Sequence, residues 1–325
     1  GGSKRKRDCS ASTAEALCLP FHDEVIYDAA LLITALNSEL LQVIPVSGNF
    51  PDTSCLSTDM FDMSGTECAA DIEQAVSAFE SSLQQNAFTM VTSEENVLRC
   101  VTFITGGLWA MVGVHSTAQL NISFALNKKT IRSATQHVDG RPDETVYEQN
   151  FLVGTGEHKD EPGQLNDAWN DVISKMRDYN VIDFGNRLKF VLVYAAAGNF
   201  MQFGFVNIIT KELHKLKLCN LNVKENRATL LKMSLNCLRY VCTVAPILPC
   251  SSGKPFATFG RITFYKDCVT KTIEPGDTCP KQLYDLLAVG NIPCAAKVLK
   301  KRTQMLITPL GKRIVDCGQT LTLPE

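Results

Sequence analysis

Basic charge is nearly missing from the first third of the sequence: between Asp8 and Cys100 there are fifteen acidic residues and a single basic one, Arg99. Such a stretch repels phosphate and is excluded as a nucleic-acid contact surface. C-x-x-C pairs are missing too, as are Cys/His clusters at zinc-finger spacing, although the chain holds 13 cysteines. That absence argues against structural zinc. Cys219, Cys237 and Cys242 lie among apolar neighbours and read as reduced core thiols, which points to an intracellular, reducing compartment. No apolar run reaches the ~18 residues of a spanning helix, so no membrane partner is expected. Near the start, Lys4-Arg5-Lys6-Arg7 is a basic run of nuclear-import type, and the nucleus is the expected location.

What is present has ordinary globular composition: 325 residues, 45% hydrophobic and 20% charged, enough for two or three domains with their own cores. The net charge of −2 conceals a second asymmetry, because residues 254–313 hold eleven Lys/Arg against four Asp/Glu. That basic half suits a phosphate partner. Residues 1–20 read as a disordered basic tail. Residues 21–110 read as a helical region. There Val25, Ile26, Ala29, Leu32, Ile33, Leu36 and Leu40 follow the helical period over 23–43, and a second amphipathic helix covers 67–84. Ser93 caps a third helix that ends near Gly106-Gly107.

Residues 111–215 change to a strand period and form an α/β core. Strands are predicted at 121–125, 129–133, 145–147, 151–159, 189–196 and 201–208, with a helix over 164–179. Residues 216–325 begin with a helical connector at 224–243. Short strands return from Phe256, with a helix at 280–289 and a strand at 304–309.

The chemistry concentrates around Asp143, Glu157 and Lys159. Asp143 lies just before one predicted strand, and Glu157-His158-Lys159 closes the next. Side chains alternate along a strand, so Glu157 and Lys159 share a face and His158 points the other way, into a structural role. If the two strands are neighbours, Asp143 converges on that pair. Mg²⁺ or Mn²⁺ prefers such carboxylate oxygens, completed by water and phosphate. An adjacent ammonium positions the attacking water or offsets charge on the phosphorus oxygens. Gln164, at the start of the following helix, is a candidate to assist that water or to bind the nucleic-acid backbone.

The stretch from Arg141 to Met176, with its Gly156-Glu157-His158-Lys159 strand, and the strand pair around Tyr194-Ala195-Ala196-Ala197-Gly198 resemble the restriction-endonuclease-like, PD-(D/E)XK domain of Crinkler-type proteins of oomycetes, fungi and other eukaryotes. The resemblance implies that Asp143 and Glu157 bind Mg²⁺ or Mn²⁺ and that Lys159 is the catalytic ammonium. A third acidic ligand from the preceding helix completes such sites. Glu94 and Glu95 both stand at that place, and Glu95 is the expected third ligand. The implied activity is hydrolysis of nucleic-acid phosphodiesters, DNA in the first instance, inside a host cell and with a host protein as a further partner.

The C-terminal part resembles the small lobe of a protein kinase. Residues 261–273 match two of its strands, with Lys271 in the place of the nucleotide-contacting lysine. Residues 281–293 match its helix, and 304–314 the strand leading to the hinge. No H-R-D loop and no D-F-G follow these segments, so this chain is not expected to be an active kinase. Two rival readings remain: a catalytically inactive nuclease-fold module that binds nucleic acid or protein, and a regulatory pseudokinase scaffold.

Overall fold

The two most continuously apolar strands of the sequence pair inside a six-stranded sheet in the computed structural model. The structure describes residues 15–45, 61–62, 70–85, 97, 101–114, 116, 120–126, 142–149, 151–176, 184 and 187–248, together with the strand backbones at 255–259, 262–265, 268–272, 300–302 and 305–309. A 3-10 turn at Asp23–Ile26 precedes helix α1 (Ala29–Leu36), the two-residue strands β1 (Ile44–Pro45) and β2 (Phe61–Asp62), and helix α2 (Ala70–Gln85). A wide-turned segment, Phe103–Gly107, runs into helix α3 (Leu108–Gly113). Then come β3 (Ile122–Leu126), β4 (Glu144–Glu148), β5 (Phe151–Lys159), α4 (Leu165–Met176), β6 (Phe190–Ala197), β7 (Phe200–Asn207), β8 (Leu213–Asn220) and α5 (Lys224–Val244).

Strand order follows the chain, β3 to β8, with β5 and β6 parallel and the other neighbours antiparallel. A parallel pair needs a crossover, and α4 provides it. Pro162 opens the turn before α4, Glu161 and Gln164 cap each other reciprocally, and Ala168, Trp169, Val172 and Met176 are buried at helical spacing. β6 is buried at every position because the sheet is covered on both faces. The β6–β7 turn uses Gly198 at φ +53°, where an added Cβ would lie 2.6 Å from Pro162 Cγ, so glycine is required twice over.

The second face carries α3 and α5. Trp109 Nε1 donates to Ser234 O and Oγ at 2.9 and 3.0 Å, and Tyr240 Oη donates to Phe190 O at 2.7 Å. Polar side chains of α5 also hold the N-terminal segment. Asn236 Nδ2 donates to Ser38 O at 2.8 Å, Arg239 Nε donates to Leu19 O at 2.8 Å, and Phe21 N–H donates to Thr243 Oγ1 at 2.8 Å. Cys18, Cys219, Cys237 and Cys242 are buried, unpaired thiols.

Several sequence expectations change. The tail predicted over 1–20 is ordered at its end, because Leu17 and Cys18 are buried in the core. The helix predicted over 23–43 is broken, since Asp28 accepts from the N–H groups of Ala30 and Leu31 and caps a new start. Gly106-Gly107 does not end a helix. Gly106 allows Phe124 of β3 to come close, with an added Cβ 3.1 Å from its ring, and the helix continues through Gly113. The boundary drawn between 215 and 216 falls inside β8, an unpredicted strand that forms the sheet edge. Residues assigned to the helical region, the core and the connector share one apolar core running from Leu17 to Leu248.

Five strands follow α5: β9 (Pro255–Phe259), β10 (Ile262–Tyr265), β11 (Cys268–Thr272), β12 (Lys300–Arg302) and β13 (Met305–Pro309). They form an antiparallel sheet of order β12-β13-β11-β10-β9. The strand predicted at 129–133 and the helix at 280–289 lie outside the described residues. Among the described residues no helix is long and apolar enough to cross a membrane.

Candidate metal-binding and catalytic site

Glu157 and Lys159 leave the end of β5 on one face, as alternation requires, and that face meets α4. Lys159 Nζ lies 2.8 Å from Asp171 Oδ2, and Lys175 Nζ lies 2.5 Å from Glu157 Oε2. Asp171 and Lys175 are one turn apart on α4, so helix and strand present opposite charges in crossed order. Glu157 is 1% exposed, and its Oε1 is buried without a hydrogen-bond partner. Burial pushes this carboxyl up to about 8; the Asp143 charge adds to the rise and Lys175 opposes it.

Asp143 reaches the same strand end because Glu144, its neighbour, pairs with Gly156. Its Oδ2 accepts the backbone N–H of His158 at 2.7 Å and lies 3.4 Å from His158 Nδ1. Burial alone would raise this carboxyl, but the His158 contacts and the Lys175 charge outweigh it and hold it below its ordinary value. The Asp143 charge is therefore close enough to oppose ionisation of Glu157, and the two predicted ligands shift in opposite directions.

On the other face of β5 the His158 ring is fully buried. Its Nε2 is 3.0 Å from Tyr194 Oη, and Tyr194 donates in turn to Glu144 Oε2. Thr105 Oγ1 donates to Glu144 Oε1 at 3.0 Å. Burial raises the Glu144 carboxyl, with Tyr194, His158 and Thr105 opposing it, and burial together with the Glu144 charge pushes the Tyr194 phenol well up. Tyr194 lies where β5 has Gly156: an added Cβ there would be 1.9 Å from Tyr194 Cζ. The Gly-Glu-x-Lys strand and the Tyr-Ala-Ala-Ala-Gly strand are thus physically complementary.

Gln164 is placed in the turn before α4, where its Oε1 accepts the Glu161 N–H at 3.3 Å as a cap. Glu94 and Glu95 lie outside the described residues. Lys271 sits in β11, paired with Ile262 and Leu306 in the second sheet. Asp171, Lys175, Glu144 and Tyr194 were not anticipated. The Asp171-x-x-x-Lys175 spacing on a predicted helix directly after Glu-x-Lys is a signal that could have pointed to the first two.

Asp143 and Glu157 offer hard oxygen donors, and the orphaned Glu157 Oε1 is the donor that a divalent cation would satisfy. Among the described residues no group of three or more His, Cys, Asp or Glu side chains completes a ligand set. Comparison of the chain with protein-family models, with curated proteins and with solved structures returns no match.

Proposed function

We propose that the six-stranded sheet and its helices are a PD-(D/E)XK-type nuclease domain of the Crinkler kind, hydrolysing nucleic-acid phosphodiesters with Mg²⁺ or Mn²⁺. The observation that carries the reading is Glu157, a buried carboxylate with one oxygen unpartnered, on the same strand face as Lys159 and within electrostatic reach of Asp143. The chain path supports it: an Asp before β4, Glu-x-Lys at the end of β5, a helical crossover, and β6 parallel to β5. Asp143 and Glu157, with Glu95 as the third carboxylate, would hold the cation. When bound, it would acidify a water and neutralise charge on the scissile phosphate. Lys175 fixes Glu157 Oε2, which leaves Oε1 as the offered oxygen. Lys159 serves the phosphate once its ammonium exchanges Asp171 for a phosphorus oxygen.

The five-stranded sheet, with Lys271 in an interior strand, fits a kinase-like small lobe, and the basic charge of residues 254–313 favours nucleic acid. Work in the nucleus of a host cell, signalled by residues 4–7, belongs to the same proposal. A second reading is favoured by the crossed ion pairs: Lys159–Asp171 and Lys175–Glu157 compensate the motif charges without a cation, as an inactive nucleic-acid-binding module would need.

Cleavage assays on single- and double-stranded DNA and RNA with Mg²⁺ or Mn²⁺ separate the two. The nuclease reading expects cleavage by wild type and a loss of about 10²-fold or more in Glu157→Ala and in Lys159→Ala. Salt-sensitive binding that survives Glu157→Ala, with no cleavage by wild type, supports the module instead.

A further inference from the structure

Strand β8 is the outermost strand of its sheet, and its charge differs from that of the chain as a whole. Residues 211–227 hold five Lys/Arg against two Glu, in a chain of net charge −2. Lys215 pairs with Gly204 and Leu218 with Gln202, so β8 has one residue more than β7 over this span and bulges. Leu216 is buried there, while Lys215, Lys217 and Leu218 are exposed. The Lys215 ammonium stands 5.0 Å from the centroid of the Trp169 ring, which places that side chain on the α4 side of the sheet. Glu157 and Lys159 leave β5 on the same side. Register runs from Glu157 through Ala195 and Gln202 to Leu218, so the candidate site and the basic edge are three strand spacings apart, roughly 14 Å.

The lysines of this edge are left uncompensated. Lys159, Lys175 and Lys232 each meet a carboxylate, at 2.8, 2.5 and 2.6 Å. Lys215 and Lys217 meet none among the described residues. Helix α4 adds no acid to the space beside them. Asp171 turns to Lys159, and Asp167 lies one turn before it. The flank toward β8 carries Asn166, Trp169 and Ile173, and Trp169 Nε1 donates to Gln202 Oε1 at 2.9 Å. Two free ammonium groups beside a neutral helix flank are complementary to a polyanion whose phosphates recur about every 3.4 Å of axis along each strand. Edge lysines also deter strand pairing between copies, a role that predicts association of the protein on their removal and no change in its affinity for nucleic acid.

We propose that the α4 side of the β8 edge, through Lys215 and Lys217, is a contact surface for the phosphate backbone of a nucleic acid and holds it without reading its sequence. The inference rests on the nuclease reading for the place of the scissile phosphate, at Glu157 and Lys159. It adds to that reading where the flanking part of the substrate lies.

Equilibrium binding to the full chain, followed by fluorescence anisotropy with a chelator in place of divalent cation, tests it. The probe is whichever of labelled duplex DNA, single-stranded DNA and RNA binds wild type most tightly. Lys215→Gln combined with Lys217→Gln is expected to raise the dissociation constant about tenfold at moderate salt. It should also reduce the slope of log affinity against log salt by about 2, one for each lost phosphate contact. Lys232→Gln removes a cation of α5 that is paired with Glu39, and is the control for general loss of positive charge. It is expected to leave affinity within about twofold of wild type. Lys215 also covers Trp169, so Lys217→Gln alone decides should the double variant not fold, with a slope change of about 1. The proposal is overturned if the lysine variants keep wild-type affinity and slope, or if Lys232→Gln weakens binding as much. Cleavage assays separate this outcome from the fate of the nuclease reading. A wild type that binds as described but cleaves nothing removes the nuclease and leaves the contact surface standing. Cleavage and binding that ignore both lysines do the reverse. A folded wild type that binds none of the three nucleic acids removes both.

Discussion

The two faces of β5 handle charge in opposite ways. Toward α4, Glu157 and Lys159 form ion pairs that open progressively to solvent: Glu157 is 1% exposed and Lys175 18%, while Lys159 is 27% and Asp171 42%. Toward α3 and α5, His158, Tyr194 and Glu144 are sealed in and bond to one another and to Thr105 in place of water, with His158 Nδ1 left unpartnered. The difference separates groups that exchange partners from groups that keep them. An ammonium partly in water can trade Asp171 for a phosphate at small cost, whereas a sealed phenol cannot move without opening the core.

The largest expected effect is on the sealed face. Gly156→Ala sets a Cβ 1.9 Å from Tyr194 Cζ, and the ring has to leave its seat. Urea denaturation should show a loss of about 4 kcal/mol or no folded protein, at the upper end for overpacking. Adding Tyr194→Leu should restore part of it. A Gly156→Ala protein as stable as wild type would mean that the face is loosely packed and that the contrast fails.

A middle-sized effect is expected from pH. The Glu157 carboxyl is raised from an ordinary 4.5 to about 8, so the unfolded chain releases this proton first as pH rises. Stability therefore falls between about pH 4.5 and 8, by something on the order of 3 kcal/mol after relaxation. Asp143 is lowered from 3.8, and its contribution is present above that value and lost as pH falls through the folded-state one. Comparing urea midpoints at pH 5 and pH 8 measures the Glu157 slope. Glu157→Gln should flatten it, and an unchanged slope in that variant would show that the burden lies elsewhere.

The smallest effect belongs to the open end. Asp171→Asn removes a pair that is more than a quarter exposed at both partners, and stability should shift by ~0.5 kcal/mol or less. A loss several times larger would make Lys159–Asp171 as structural as the Tyr194 network and erase the distinction between the faces.

Much of this was readable in advance. Period-two alternation put Glu157 and Lys159 on one face, and β5 occupies the predicted 151–159. The helix after it, the β6–β7 pair and the long helix at 224–243 follow from strong local patterns. What could not be read were contacts between segments far apart in sequence. Tyr194 meets Glu144 across 50 residues, and Thr105 meets Glu144 across 39. Gly106-Gly107 misled because glycine serves close approach as readily as termination, and only Phe124 of β3 distinguishes the two.

Sequence by itself determined the local facts: which residues share a strand face, that a helix follows β5, and which side chains are able to bind a hard cation. These depend on backbone periodicity and donor chemistry, both encoded within a few residues. Tertiary structure alone decided that Lys175 meets Glu157, that Asp171 meets Lys159, that the His158 N–H meets Asp143, and that Tyr194 joins His158 to Glu144. Partner choice in a buried site depends on which surfaces meet and how far each group is withdrawn from water, and neither is a property of a short stretch of chain.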